Sequence, residues 1–143
     1  MAYRNKFNPK NLKKYIGNPD SIMCRSLWER KFCKFLDENS SIIRWSFEPI
    51  KIPYISPIDG KEHNYIPDFL LEKRKNSSEI EVMLVEIKPE KQTKEPSMGR
   101  KRKKTYLNES LTYEINKQKW IAAKKFCDRN GINFKILTEK DLF

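Results

Sequence analysis

The spacing of hydrophobic residues changes several times along this chain, and each change marks an element. In residues 25–38 (RSLWERKFCKFLDE), Leu27, Trp28, Phe32, Phe35 and Leu36 recur at intervals of three and four, which predicts one face of a helix. From 42 to 53 the interval falls to two. Ile43, Trp45 and Phe47 share a side, and Ile50 and Ile52 resume after Pro49, so a strand is expected with an edge position or bulge at the proline. Asp59-Gly60 offers the residues of a tight turn, and 65–71 predicts a second strand that closes a long hairpin with the first. After a polar turn at 73–79 comes IEVMLVEIK, 80–88, nearly continuous in apolar residues through its middle. Such a strand lies at the centre of a sheet and is covered on both faces. Pro89 stops it.

Residues 90–104 form a charged, apolar-poor connection. A long helix is expected over 108–130, with Leu111, Ile115, Ala122 and Phe126 on one stripe and Trp120, Ala123 and Cys127 beside it. Gly131 stands where a helix C-terminal glycine belongs, and 132–137 (INFKIL) predicts a last strand. Ahead of the first helix, Pro9, Gly17 and Pro19 interrupt any period, so residues 1–24 read as a basic arm rather than a core element. One domain over 25–143 follows, with a basic loop at 89–107. Its elements run helix, three strands, helix, strand, an α/β order without internal repeat.

With 143 residues, 38% of them hydrophobic, the chain can bury a substantial core. Lys and Arg outnumber Asp and Glu by 30 to 19, a formal charge of +11, which implies a polyanionic partner, nucleic acid first and an anionic membrane surface second. The membrane reading is weakened because no apolar run approaches the roughly 20 residues of a span, and MAYRNKFNPK lacks the apolar stretch of a signal peptide. Residence in the cytosol is expected. Cys24, Cys33 and Cys127 contain no CxxC pair and only His63 could join them, so they read as reduced hydrophobes rather than a zinc site.

The strongest chemical signal is Pro67-Asp68 near the end of the second strand, followed by Glu86-Ile87-Lys88 at the end of the third. Alternation puts Glu86 and Lys88 on one face and Val85 and Ile87 on the other. A carboxylate and an ammonium at the end of a buried strand need a partner, a metal or water, so a cleft is their natural place. Asp68 and Glu86 can hold Mg²⁺ through oxygen and leave positions for water and a phosphate oxygen, with the carbonyl of Ile87 as a further ligand. Lys88 can then orient the water or neutralise developing phosphate charge. The bland alternative is a capped strand end and a surface ion pair. Against it, the PD lies on the preceding strand, eighteen residues before Glu86, which suffices for a hairpin to set the two side by side.

The element order, Glu29, Asp68 and Glu86-Ile87-Lys88 together resemble the PD-(D/E)XK nuclease superfamily. More narrowly, RSLWERKF, PYISPIDGKEHNYIPDF and VEIKPEKQ resemble the head-completion nucleases of tailed contractile phages and, more distantly, nuclease subunits of certain transposases. The resemblance implies a restriction-endonuclease-like core, a mixed sheet flanked by helices, that cleaves double-stranded DNA with Mg²⁺, Mn²⁺ substituting. It implies a setting in phage head completion, in the host cytoplasm or the virion head, with portal or head–neck proteins as partners.

It would also make Glu29 a metal-proximal carboxylate, although Ser26-Leu27-Trp28-Glu29 equally matches a capping box. Gln118 interrupts the apolar stripe of the second helix and so lies at its margin or faces a cleft. The superfamily often carries Gln or Lys on this helix near the scissile phosphate, which makes Gln118 the candidate and Lys119 the next. Lys91, Lys94, Arg100, Lys101, Arg102, Lys103 and Lys104 are expected on the DNA backbone, against the alternative of a solvated loop. His63, five residues before Asp68 and so on the opposite face of a regular strand, reads as structural. A structural virion protein that keeps the fold without cutting, and a junction-resolving nuclease, remain as rival readings.

Overall fold

The computed structural model describes residues 4–142. In chain order the elements are β1 (Asn5–Lys6), β2 (Met23–Cys24), α1 (Leu27–Glu38), β3 (Ile42–Phe47), β4 (Ile52–Ile55), β5 (Glu62–Tyr65), β6 (Phe69–Arg74), β7 (Ile80–Ile87), α2 (Lys103–Asn130), β8 (Asn133–Leu137) and α3 (Glu139–Leu142).

The central sheet has the order β3-β6-β7-β8. β6 runs antiparallel to β3 and β7, whereas β8 lies parallel to β7. A parallel neighbour requires a crossover, and α2 supplies it. β7 is therefore interior, and the two helices cover its faces. On one side Phe32, Cys33 and Leu36 of α1 pack with Trp45, Phe69, Leu71, Val85 and Ile87; on the other Ala123 and Cys127 of α2 pack with Leu84, Ile52 and Tyr65. Neighbouring residues Leu84 and Val85, 0% and 1% exposed, fill opposite cores, so the apolar run is unbroken.

The expected hairpin exists but is broken in the middle. β3 pairs with β6 and β4 with β5, in separate sheets. At the break Glu48 takes a left-handed φ of 48°, the one positive φ outside glycine among the described residues. Its N–H donates to the Asp68 carbonyl at 2.8 Å, holding the two halves at the junction. The distal β4–β5 pair leans on α2 through Ile52 and Tyr65, and the turn closes at Gly60, φ 68°.

Three expectations shift. The arm contributes to the core: Phe7, Ile22 and Cys24 join the α1-side cluster. It is pinned by Asp37, 2% exposed, whose carboxylate accepts from the N–H groups of Lys10 and Asn11 at 2.9 and 3.1 Å. On α1 the buried face is Phe32, Cys33 and Leu36, whereas Leu27 and Phe35 are half exposed. On α2 the helix begins at Lys103, five residues early, and its first turns stand away from the core, leaving Leu111 exposed. Its buried face is Asn116, Ala123 and Cys127. Gly131 ends it in the left-handed conformation, φ 66°, as expected.

Candidate active site

The antiparallel register of β6 and β7 sets Phe69 opposite Val85. Continued by one residue, it sets Asp68 opposite Glu86, where cross-strand side chains are direct neighbours. The two carboxyls meet within hydrogen-bonding reach. Glu86 is only 5% exposed. The main-chain N–H of Ile87 donates to Asp68 Oδ2 at 2.8 Å, and the Tyr65 hydroxyl donates to Glu86 Oε2. Desolvation, then the charge of Glu86, push the Asp68 carboxyl well above the usual carboxylate range, only partly opposed by the Ile87 N–H and the nearby Lys88 ammonium. Beyond β7, Lys88 N–H donates to the Leu137 carbonyl at 3.0 Å, which ties this strand end to β8.

A second carboxylate edge comes from α1. Ser26 caps the helix by accepting from the Glu29 N–H at 3.1 Å, and Glu29 returns through Oε1 to the Arg25 N–H at 3.1 Å. The capping box is thus formed, one residue earlier on its return leg than the usual pattern. Burial, with the charges of Asp68 and Glu48 nearby, raises the pKa of this side chain despite the Arg25 N–H. Capping and proximity to Asp68 are both properties of Glu29. Arg25 closes this edge with an ion pair to Glu48, 2.9 Å.

From α2 the structure brings in Lys119, not Gln118. Lys119 lies between Asn116 and Ala123 on the inward face, and its ammonium sits 5.9 Å from the Tyr54 ring centre and 5.8 Å from that of Tyr65. Desolvation, then the Lys88 charge, lower its pKa, with Glu86 opposing. Gln118, one residue earlier and so about 100° around the helix, lines a groove against Ile52, Tyr54 and Ile55 of β4 together with Lys125 and Arg129.

Two desolvated carboxylates in contact repel unless they share a proton or a cation. Among the described residues no group of three or more His, Cys, Asp or Glu side chains gathers as a metal site. Asp68 and Glu86 offer oxygen donors only, the chemistry that a hard divalent cation prefers.

A family model described as the TnsA-like endonuclease N-terminal domain matches residues 39–139. This chain belongs to that family. It is also 41% identical over 146 residues to the head completion nuclease of Enterobacteria phage T4, an alignment covering 99% of this chain and 95% of the relative. The TnsA-like match spans β3 through the start of α3, including Asp68, Glu86 and Lys88, whereas β1, β2 and α1 precede it. The restriction-endonuclease-like sheet expected of such a nuclease is the β3-β6-β7-β8 sheet described above.

Around this TnsA-like core the basic residues divide by partner. Lys94 pairs with Glu90 at 3.1 Å and Lys101 with Glu109 at 3.2 Å. Lys91, Arg100, Arg102, Lys103 and Lys104 are exposed, and the last three form the N-terminus of α2, which has no side-chain cap. In the N-terminal segment Lys14 is occupied, donating to the carbonyls of Asp37 and Asn39. His63 accompanies Asp59, 2.8 Å away on the exposed turn. All three cysteines are free and buried, with the sulfurs of Cys24 and Cys33 3.6 Å apart. Tyr65, Arg25 and Glu48 carry no sequence signal of their role. Lys119 does, since 116, 119, 123 and 127 are spaced as one helical face.

Proposed function

We propose that this protein is a divalent-metal-dependent endonuclease that cleaves double-stranded DNA during phage head completion. The observation that carries the reading is the contact of Asp68 with Glu86 at the end of an interior strand, with Lys88 beside them. Membership of a nuclease family and likeness to a relative named head completion nuclease support it.

In this reading Asp68, Glu86 and the Ile87 carbonyl hold Mg²⁺, and Mn²⁺ substitutes. When bound, the ion supplies positive charge to the scissile phosphate and acidifies a water nucleophile. The chain's own groups do the rest. The Ile87 N–H keeps the Asp68 carboxylate turned toward Glu86, and Lys88 and Lys119 face the space where phosphate oxygens accumulate charge. Glu29 bounds the site from α1. Lys91, Arg100, Arg102, Lys103 and Lys104 contact the DNA backbone, where phosphates would also offset the unfavourable crowding of cations at the positive end of the α2 dipole. Portal or head–neck proteins are its assembly partners, and it acts in the host cytoplasm, with incorporation into the virion head as the later step. No helix among the described residues is long and apolar enough to cross a membrane.

Incubation of linear, supercoiled and branched DNA with wild type, Asp68→Ala and Lys88→Ala, in Mg²⁺, Mn²⁺ and EDTA, tests the reading. Metal-dependent cutting of duplex DNA that disappears in both variants is expected. DNA or portal binding without cutting would replace it with a structural head protein, and cutting confined to branched DNA with a junction resolvase.

A further inference from the structure

We propose that Tyr65 is a positioning residue serving two groups of the active site at once: its hydroxyl orients Glu86, and its ring, with that of Tyr54, steadies the Lys119 ammonium. This rests on the reading that Asp68 and Glu86 share a divalent cation.

Tyr65 ends β5 and is 4% exposed, packed with Leu84, Ala123 and Cys127. Its position follows from the break in the long hairpin, which turns β4–β5 away from the central sheet and against α2. Its hydroxyl donates to Glu86 Oε2. A phenol is a neutral donor. It holds a buried carboxylate in one orientation and takes up one lone pair without cancelling the charge that a cation needs. An arginine or lysine in its place would compete with the metal.

The ring does a different task. Lys119 has Lys88 as a like-charged neighbour and, among the described residues, makes no ion pair that would hold it. The rings of Tyr65 and Tyr54, at 5.8 and 5.9 Å, are within cation–π range and attract the ammonium without neutralising it. Tyr54 is set beside Tyr65 by the β4–β5 register, in which Ile52 faces Tyr65 and Tyr54 faces His63. One side chain thus couples the metal-side carboxylate to the phosphate-side cation.

The two roles separate by substitution. Tyr65→Phe removes the hydroxyl and keeps the ring; Tyr65→Leu removes both. Mg²⁺ and Mn²⁺ affinity is measured on the protein alone by calorimetry, and the salt dependence of duplex DNA binding is measured in EDTA. Tyr65→Phe should weaken metal binding by about 10- to 100-fold, the range for removing a group that orients a ligand, and leave the salt slope unchanged. Tyr65→Leu should weaken metal binding equally and lower the slope by about 0.9, the value of one neutralised phosphate. Metal affinity of Tyr65→Phe within twofold of wild type, or equal slopes for the two variants, overturns the proposal. Asp68→Asn is the control: if it still binds metal like wild type, the shared-cation reading itself fails, whereas weakened binding there with no effect in Tyr65→Phe removes only the role of Tyr65. Should Tyr65→Phe not fold, the tyrosine doublet in the ultraviolet resonance Raman spectrum of wild type decides. A donor signature that changes when Mg²⁺ is added supports the coupling, and an unchanged one refutes it.

Discussion

Replacing Asp68 by Asn should make the metal-free protein more stable while destroying its activity. The carboxyls of Asp68 and Glu86 are desolvated and in contact, and the burial and mutual repulsion that raise the Asp68 pKa also penalise its ionised form at neutral pH. Two like charges about 4 Å apart repel by about 4 kcal/mol at an effective dielectric near 20. Uptake of a proton by the pair relieves part of this in the wild type, so a net gain of about 1–3 kcal/mol is expected. Asparagine keeps the acceptor that takes the Ile87 N–H and turns a repelling oxygen into an amide donor toward Glu86. At this chain length about 1 kcal/mol moves the melting midpoint by about 3 °C, so Asp68→Asn should melt about 3–9 °C higher in EDTA at pH 7.5. The sign with pH is fixed by the raised folded pKa. That group's contribution is intact below the ordinary carboxylate pKa and is lost as pH rises through the raised value, so the gap between variant and wild type should open upward from about pH 4. Mg²⁺ should raise the wild-type midpoint and not that of the variant. Thermal melts across pH in EDTA and in Mg²⁺ measure all of this. An Asn variant less stable than wild type in EDTA at pH 7.5 would show that the pair is not held under mutual repulsion.

On α2, Lys119→Ala should lower cleavage about 10- to 1,000-fold, the scale of removing one charge-stabilising group; Gln118→Ala, which alters the groove along β4, should stay within about threefold in the same assay. Glu29→Gln retains an acceptor for the Arg25 N–H and should cost under about 1 kcal/mol, whereas Ser26→Ala should cost about that amount. Abolished cleavage in Glu29→Gln with an unchanged melt would separate its place near Asp68 from its capping role. Changing Arg100, Arg102, Lys103 and Lys104 together to Gln should reduce the slope of log affinity against log salt by about 0.9 for each phosphate no longer neutralised, with little change in the cleavage rate at saturating DNA.

How much of this was legible depended on whether the cause was local. The interior strand β7 was visible because both of its faces are apolar, and Glu86 with Lys88 was visible because alternation alone sorts them onto one side. The split of the hairpin was hidden: the left-handed residue at the break is Glu48, where a glycine or asparagine would have signalled the turn. Docking of residues 4–24 was hidden too, because it depends on main-chain N–H groups of Lys10 and Asn11 reaching Asp37, a long-range bond that no spacing encodes. The early start of α2 had no N-cap residue to announce it, since Arg102 makes no side-chain cap. The choice of Gln118 over Lys119 followed from reading the stripe through Ile115 and Ala122, when the face that is buried runs through Asn116, Ala123 and Cys127. Tyr65 acquired its role only from the tertiary packing of β5 on α2.

In the function proposed above, catalysis depends on one cation shared by the oxygens at positions 68 and 86. Anomalous diffraction from crystals of the wild-type protein soaked in Mn²⁺ locates it directly. A peak bridging Asp68 and Glu86 is expected, with oxygen distances of about 2.0–2.2 Å and the Ile87 carbonyl as a further ligand. Crystals of cleavage-competent protein that show Mn²⁺ bound elsewhere, and none between these two carboxylates, would rule the shared ion out.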